Sequence, residues 1–130
     1  MVVAGVMIGG ALGALARYAT GQWFNSGALA APGMGFPLST MAVNVVGSFL
    51  LGFITAIGAH GQLSPAVRTA LGTGFVGAFT TFSTFELESD MLLRQGHTGF
   101  ATFYVLGNLV LGYLALTVGR ALGSRLTTSA

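Results

Sequence analysis

Between Gly77 and Phe85 the chain reads Gly-Ala-Phe-Thr-Thr-Phe-Ser-Thr-Phe, four hydroxyl and three aromatic residues in nine positions behind a glycine. Ser and Thr side chains offer the backbone hydrogen bonds that compete with a helix, and paired β-branched Thr residues are poor helix formers. The run therefore predicts a break, at about Gly77 to Ser83, in any helix that contains it. Freed backbone groups, hydroxyls and aromatic ring edges are together the material of an ion site. Thr40, Asn44, Gly47, Ser48 and Thr55 form a second polar set, at helical spacings on one face of an otherwise apolar segment. Tyr104 and Asn108, at i and i+4, form a third. Taken singly, the plainer readings are an unbroken helix with Ser/Thr back-bonding and an interhelical Asn hydrogen bond; the three together favour the lining of a path.

Coordination, not catalysis, is the chemistry on offer. The chain has no Cys, and His60 and His97 fall in connectors without a second metal-type ligand nearby. No nucleophile and base pair, phosphate loop or paired carboxylates appear, so the chain is not expected to be an enzyme. Amide N–H and hydroxyl donors suit an anion, and the positive edge of a Phe ring faces one equally well. Phe82 and Phe85, at i and i+3, can turn their edges toward a common path. A proton-coupled exporter of cations would carry a membrane-buried acid; the first two spans have none, and Glu86 is the only poor candidate. Glu86, Glu88 and Asp90 follow the hydroxyl run at spacings of two, with most of them expected at a solvated helix end.

The elements that position these groups follow from composition. Of 130 residues, 53% are hydrophobic and 6% charged, against about 25% charged in a soluble domain, so the chain belongs in a bilayer. Five scattered Arg and a net charge of +2 offer no basic cluster for a phosphate backbone, which argues against nucleic-acid binding. A crossing needs about 20 apolar residues, and four stretches qualify: about 2–23, 37–59, 65–93 and 99–122. The first has no basic n-region and more spans after it, so it reads as a retained helix and not a signal peptide. The third would extend about 43 Å as one helix, long enough to overshoot, which places its predicted break near the membrane midplane. The connectors are the Gly/Ala/Pro-rich Asn25–Phe36 around Met34, His60–Ser64 and Arg94–Thr98, and Gly123–Ala130 reads as a free tail. Trp23 and Tyr18 suit an aromatic belt. The expected fold is an all-α integral membrane protein, one domain over 1–130, with four transmembrane helices and the third broken.

Twenty-one residues are Gly. Gly5, Gly9, Gly13 and Gly21 recur on one face of the first span with Arg17 in register, and Ala70, Gly74 and Ala78 repeat the pattern in the third. Such stripes let helices approach closely in lipid, and a chain this small must oligomerise to enclose anything. Four spans put both termini on one side; Arg68, Arg120 and Arg125 lie there, Arg17 and Arg94 opposite. That difference of one leaves almost no orientation signal. Either other features set the orientation, or the chain inserts both ways and pairs as an antiparallel dimer, the reading preferred here.

Three segments resemble the small bacterial fluoride channels, the Fluc/CrcB family, over essentially the whole chain. They are Gly9-Gly10-Ala11-Leu12-Gly13-Ala14-Leu15-Ala16-Arg17-Tyr18, Asn44-Val45-Val46-Gly47-Ser48-Phe49-Leu50-Leu51-Gly52, and Gly74 through Phe85 followed by Glu86 and Glu88. Position 108 holds Asn where the family pattern suggests a Ser-like hydroxyl, and Gly112 stands where some members place another. The resemblance implies a dual-topology homodimer of four-helix subunits with two antiparallel pores, multi-pass in the bacterial inner membrane. It implies passive fluoride export, with Asn44 donating to the ion and Phe82 and Phe85 presenting ring edges. Ser83 and Thr84, then Thr81, are its hydroxyl candidates, with Tyr104 and Asn108 also on the path. A structural Na⁺ at the dimer interface would be held by the backbone carbonyls of Gly77 and Thr80 from both subunits. Arg17 is expected in a vestibular or structural place, snorkelling to the interface, and Glu86 and Glu88 as vestibule residues. A coupled multidrug-type exporter is the alternative function; a non-conducting assembly protein would leave the polar stripes unexplained.

Overall fold

A computed structural model describes residues 1–26 and 36–128 of the protein. Every regular element among them is helical: α1 (Val2–Ser26), α2 (Leu38–Ala59), α3 (Pro65–Thr69), a π-helical stretch (Ala70–Val76), α4 (Gly77–Phe79), α5 (Phe82–Arg94) and α6 (Thr98–Thr128). Most of the connector expected at Asn25–Phe36, Met34 included, lies outside the described residues. Among the described residues three helices are long and apolar enough to cross a membrane, over Val2–Phe24, Leu38–Ala59 and Thr98–Thr127. The molecule is a helical membrane protein.

The stretch read from sequence as a third span is built in pieces. Ser64 caps α3, its Oγ accepting from Val67 N–H at 3.3 Å with Pro65 in the first turn. The chain then widens into π geometry, which the sequence reading did not anticipate, returns to α for three residues, and leaves the helix at Thr80 (φ −81°, ψ 161°) and Thr81 (φ −149°, ψ 121°). Helix α5 starts at once from Thr81, whose Oγ1 accepts from Thr84 N–H at 3.3 Å. Two Schellman closures turn the chain between long elements. After α2, Gln62 N–H donates to Ile57 O with Gly61 at φ 77°; after α5, His97 N–H donates to Leu92 O with Gly96 at φ 79°. Both need a glycine because the left-handed region is closed to most side chains.

Close approach explains the glycine stripes. A Cβ on Gly9 or Gly13 would overlap the carbonyl oxygens of Ala70 and Phe75, and one on Gly74 would lie 2.8 Å from Val6 O. Helix α1 therefore lies directly on the backbone of the π-helical stretch, and contacts advance in step, Gly5 on Ala70, Gly13 on Phe75 and Arg17 on Thr80, so the two run parallel. Gly21 meets nothing within 4 Å, so the stripe works only through Gly13. Helices α2 and α6 form the other parallel pair. Asn44 meets Asn108, Ser48 faces Gly112, and Gly52 and Gly119 press against the backbones of Leu116 and Phe49. The tail expected from Gly123 is instead helix as far as Thr128. Gly123 is buried against Ala56 and Phe53, which gives the last turns a surface to pack on.

Candidate functional site

Thr80 and Thr81 leave backbone groups without helical partners, and such groups persist inside an apolar bundle only if something else satisfies them. Asn44 does so. Its Oδ1 accepts from Thr81 N–H at 2.9 Å and its Nδ2 donates to Thr81 O at 3.2 Å, so the side-chain amide pairs with one extended residue as a neighbouring strand would. The second Nδ2 proton goes to Asn108 Oδ1 at 3.1 Å, and Asn108 Nδ2 donates in turn to Tyr104 O at 2.9 Å. Both Asn44 amide protons are thus engaged within the chain. Arg17, half-buried, turns its Nη1 inward to donate to Thr80 O at 3.2 Å, a structural contact in place of an outward reach.

The polar chain continues past the amides. Tyr104, fully buried, donates through its hydroxyl to Glu88 Oε2 at 2.7 Å, and Thr40 donates to Glu88 Oε1 at 3.1 Å. Glu88 is therefore a half-buried carboxylate with a hydroxyl on each oxygen, not a solvated end; Glu86 and Asp90 are exposed, Asp90 pairing with Arg94 at 2.6 Å. Thr40 was legible as part of the polar face of α2, but its contact with Glu88 was not. At the other end Thr81, which sequence reasoning ranks below Ser83 and Thr84, is the hub. Beyond its two bonds to Asn44, its hydroxyl donates to Thr84 Oγ1 at 2.9 Å. Ser83 is exposed.

Aromatic rings flank this chain. Phe82 and Phe85 have ring centroids 5.8 Å apart at 42°, Phe82 being 68% exposed and Phe85 buried. Phe85 lies 5.4 Å from Tyr104, which meets Phe36 edge-on at 5.6 Å. Phe36 closes the row, and no sequence feature marked it. Beside Phe82 a cleft of about 200 Å³ is lined by Asn44, Ser48, Thr80, Thr81 and apolar neighbours. The structure brings together Asn44, Thr81, Thr84, Tyr104, Asn108 and Glu88 through hydrogen bonds, with Phe82 and Phe85 alongside; Glu86 and Ser83 stand outside that network.

Among the described residues no three His, Asp or Glu side chains group as metal ligands. Backbone oxygens are the alternative. The ordinary helical donor to Gly77 O is Thr81 N–H, which Asn44 has diverted, and the carbonyls at the end of α4 carry the negative end of a helix. An oxygen-only set of this kind fits a hard cation. Thr80 O already accepts from the Arg17 guanidinium.

Residues 4–120 match the family described as CrcB-like protein, Camphor Resistance (CrcB). The chain is 48% identical over 122 residues, 93% of its own length and 94% of the relative's, to the fluoride-specific ion channel FluC of Acidobacterium capsulatum. Similar proteins of the same name from Thermus thermophilus and Deinococcus radiodurans are each 45% identical over 93% and 92% of this chain, and 92% of each relative is covered. With nine-tenths of its length so matched, the chain belongs to the CrcB family.

Proposed function

We propose that the protein is a passive, fluoride-selective ion channel that releases cytoplasmic fluoride down its electrochemical gradient, and not an enzyme. The observation that carries this reading is the hydrogen-bonded chain that runs from the interruption at Thr81 through Asn44 and Asn108 to Tyr104, beside the Phe82 and Phe85 rings. Its support is the likeness over most of the chain to proteins named fluoride-specific ion channels. Fluoride enters a cell as neutral HF, dissociates, and needs a path for the anion. The path runs along Phe82 and Phe85, whose ring edges take the place of hydration water, with Asn44 amide donation and the hydroxyls of Thr81, Ser83, Thr84 and Tyr104 beside it. Asn108 continues the track on α6, and Glu86 and Glu88 belong to its mouth. The exporter alternative is not favoured, since the named relatives are channels and the half-buried carboxylate, Glu88, is already held by two hydroxyls.

The finer assembly is part of the same proposal: a homodimer of oppositely inserted, lipid-embedded subunits in the bacterial inner membrane, two antiparallel pores, and the interruption near the bilayer midplane. The near-equal Arg count on the two sides supports dual insertion. Gly77 and Thr80 carbonyls from both subunits would hold Na⁺ at the interface, where a positive charge offsets nearby anions. Efflux from liposomes loaded with fluoride or chloride, with the potential clamped by valinomycin, tests the function. Rapid electrogenic fluoride loss with negligible chloride loss and no proton gradient is expected; no fluoride loss from folded protein refutes it.

A further inference from the structure

The two asparagines that meet between α2 and α6 have only one way to face each other. Thr81 N–H can only donate, so Asn44 must give it Oδ1 and turn Nδ2 toward Thr81 O and Asn108. Asn108 must then present Oδ1 to Asn44, and its Nδ2 meets Tyr104 O, an obligate acceptor. Turning either amide over would set two donors or two acceptors against each other at both ends, so backbone groups at each end fix the polarity of the dyad. In that arrangement Asn44 has no proton left. Its proton on Thr81 O belongs to a two-point pairing with backbone; its proton on Asn108 Oδ1 is held by one side chain alone.

We infer that Asn108 determines anion affinity in this channel by holding the Asn44 amide proton that an anion must take. The inference rests on the reading above that Asn44 faces the fluoride path. An arriving anion displaces Asn108 Oδ1 as acceptor while the pairing with Thr81 stays intact. Asn108, 8% exposed, then keeps its bond to Tyr104 O. A shorter side chain at 108 removes the competitor. Serine there bonds back to Tyr104 O within its own helix and leaves the Asn44 proton to the anion.

Single-channel current against fluoride concentration in planar bilayers reads the affinity. Titration of 15N-asparagine-labelled protein in micelles reads the proton itself. Asn108→Ser and Asn108→Ala are each expected to lower the half-saturating fluoride concentration by about threefold to tenfold, the effect of releasing one neutral hydrogen bond. One Asn44 side-chain proton resonance should move with fluoride, at lower concentration in N108S than in the parent, while its partner, bound to Thr81 O, stays still. The still resonance also shows that the variant is folded. Unchanged half-saturation in both variants, with a conducting parent and an Asn44→Ala variant that no longer conducts, overturns the role of Asn108 and leaves the channel reading standing. A conducting parent with unchanged flux in N44A removes Asn44 from the path and this inference with it. A parent that does not conduct fluoride overturns both.

Discussion

Replacing Asn44 by Ala removes a side chain bound to both backbone groups of Thr81. Three hydrogen bonds go at once, at 2.9, 3.2 and 3.1 Å. Interhelical hydrogen bonds in membranes average about 0.6 kcal/mol each, which sets the lower bound near 2 kcal/mol for the three. A buried peptide group left without a partner costs about 1–3 kcal/mol, and Thr81 is buried, with both its N–H and C=O orphaned by the substitution. The expected loss is therefore about 2–5 kcal/mol. Reversible unfolding in mixed micelles of increasing SDS fraction, followed by far-ultraviolet circular dichroism, measures it. Thr81→Ala serves as calibration, since it spares both backbone bonds and deletes only the hydroxyl's two bonds with Thr84, the cap on its N–H and the donation to its Oγ1, together worth about 1–2 kcal/mol. A loss below about 0.5 kcal/mol in Asn44→Ala would refute the argument, for it would mean that the extended residues find other partners, and that Asn44 does not maintain the interruption.

Phe82→Ile and Phe85→Ile should each reduce fluoride efflux by more than tenfold while leaving the oligomer intact on gel filtration, because an alkyl group has no positive edge; full flux in both discards the ring-edge role. Gly13→Ala places a methyl group into the Phe75 backbone and should lower stability by about 1–3 kcal/mol in the same SDS titration. Gly21→Ala, with nothing within 4 Å, should be neutral or raise helix stability by up to about 1 kcal/mol, and equal losses at both positions would contradict the packing described. Tyr104→Phe leaves Glu88 with Thr40 alone and should lower stability by about 1.5–3 kcal/mol, the worth of a hydrogen bond to a charged group, and slow fluoride efflux; flux at the parental rate would put the hydroxyl off the path.

Much of the arrangement was readable because bilayer physics simplifies it. Leu38–Ala59 is bounded by Pro37 and a glycine closure, and its apolar faces and one polar stripe left few ways to place Asn44. The crowded hydroxyls at Thr80 to Thr84 marked where helical bonding would be contested, although which two residues would leave the helix depended on a partner in another element. Pairings between distant residues were the part out of reach. Nothing local in Thr40 or Glu88 says that 48 residues apart they share a hydrogen bond, and Glu88 read as part of a solvated end because it stands in a run of three acids at spacings of two with Glu86 and Asp90. The π geometry of Ala70–Val76 was equally hidden, and so was the packing of the α1 glycines on its backbone. Arg17 looked like an interface anchor by its place on the glycine face, and only the fold shows the Thr80 carbonyl within its reach.

The π-helical stretch also governs how this chain tolerates insertion and deletion. Bonding from i to i+5 lets such a stretch hold one residue more than an α-helix would between the same flanking turns, so losing one residue between Ala70 and Val76 can be taken up by a return to α geometry, with Thr80 still facing Arg17 and Thr81 still facing Asn44. Gly77–Phe79 has no such slack: in an α-helix each residue turns the chain by about 100°, and losing one there would turn Thr80 from Arg17 and Thr81 from Asn44. Across homologues, gaps should therefore gather in the connectors and within Ala70–Val76, and spare the short helix between it and Thr80.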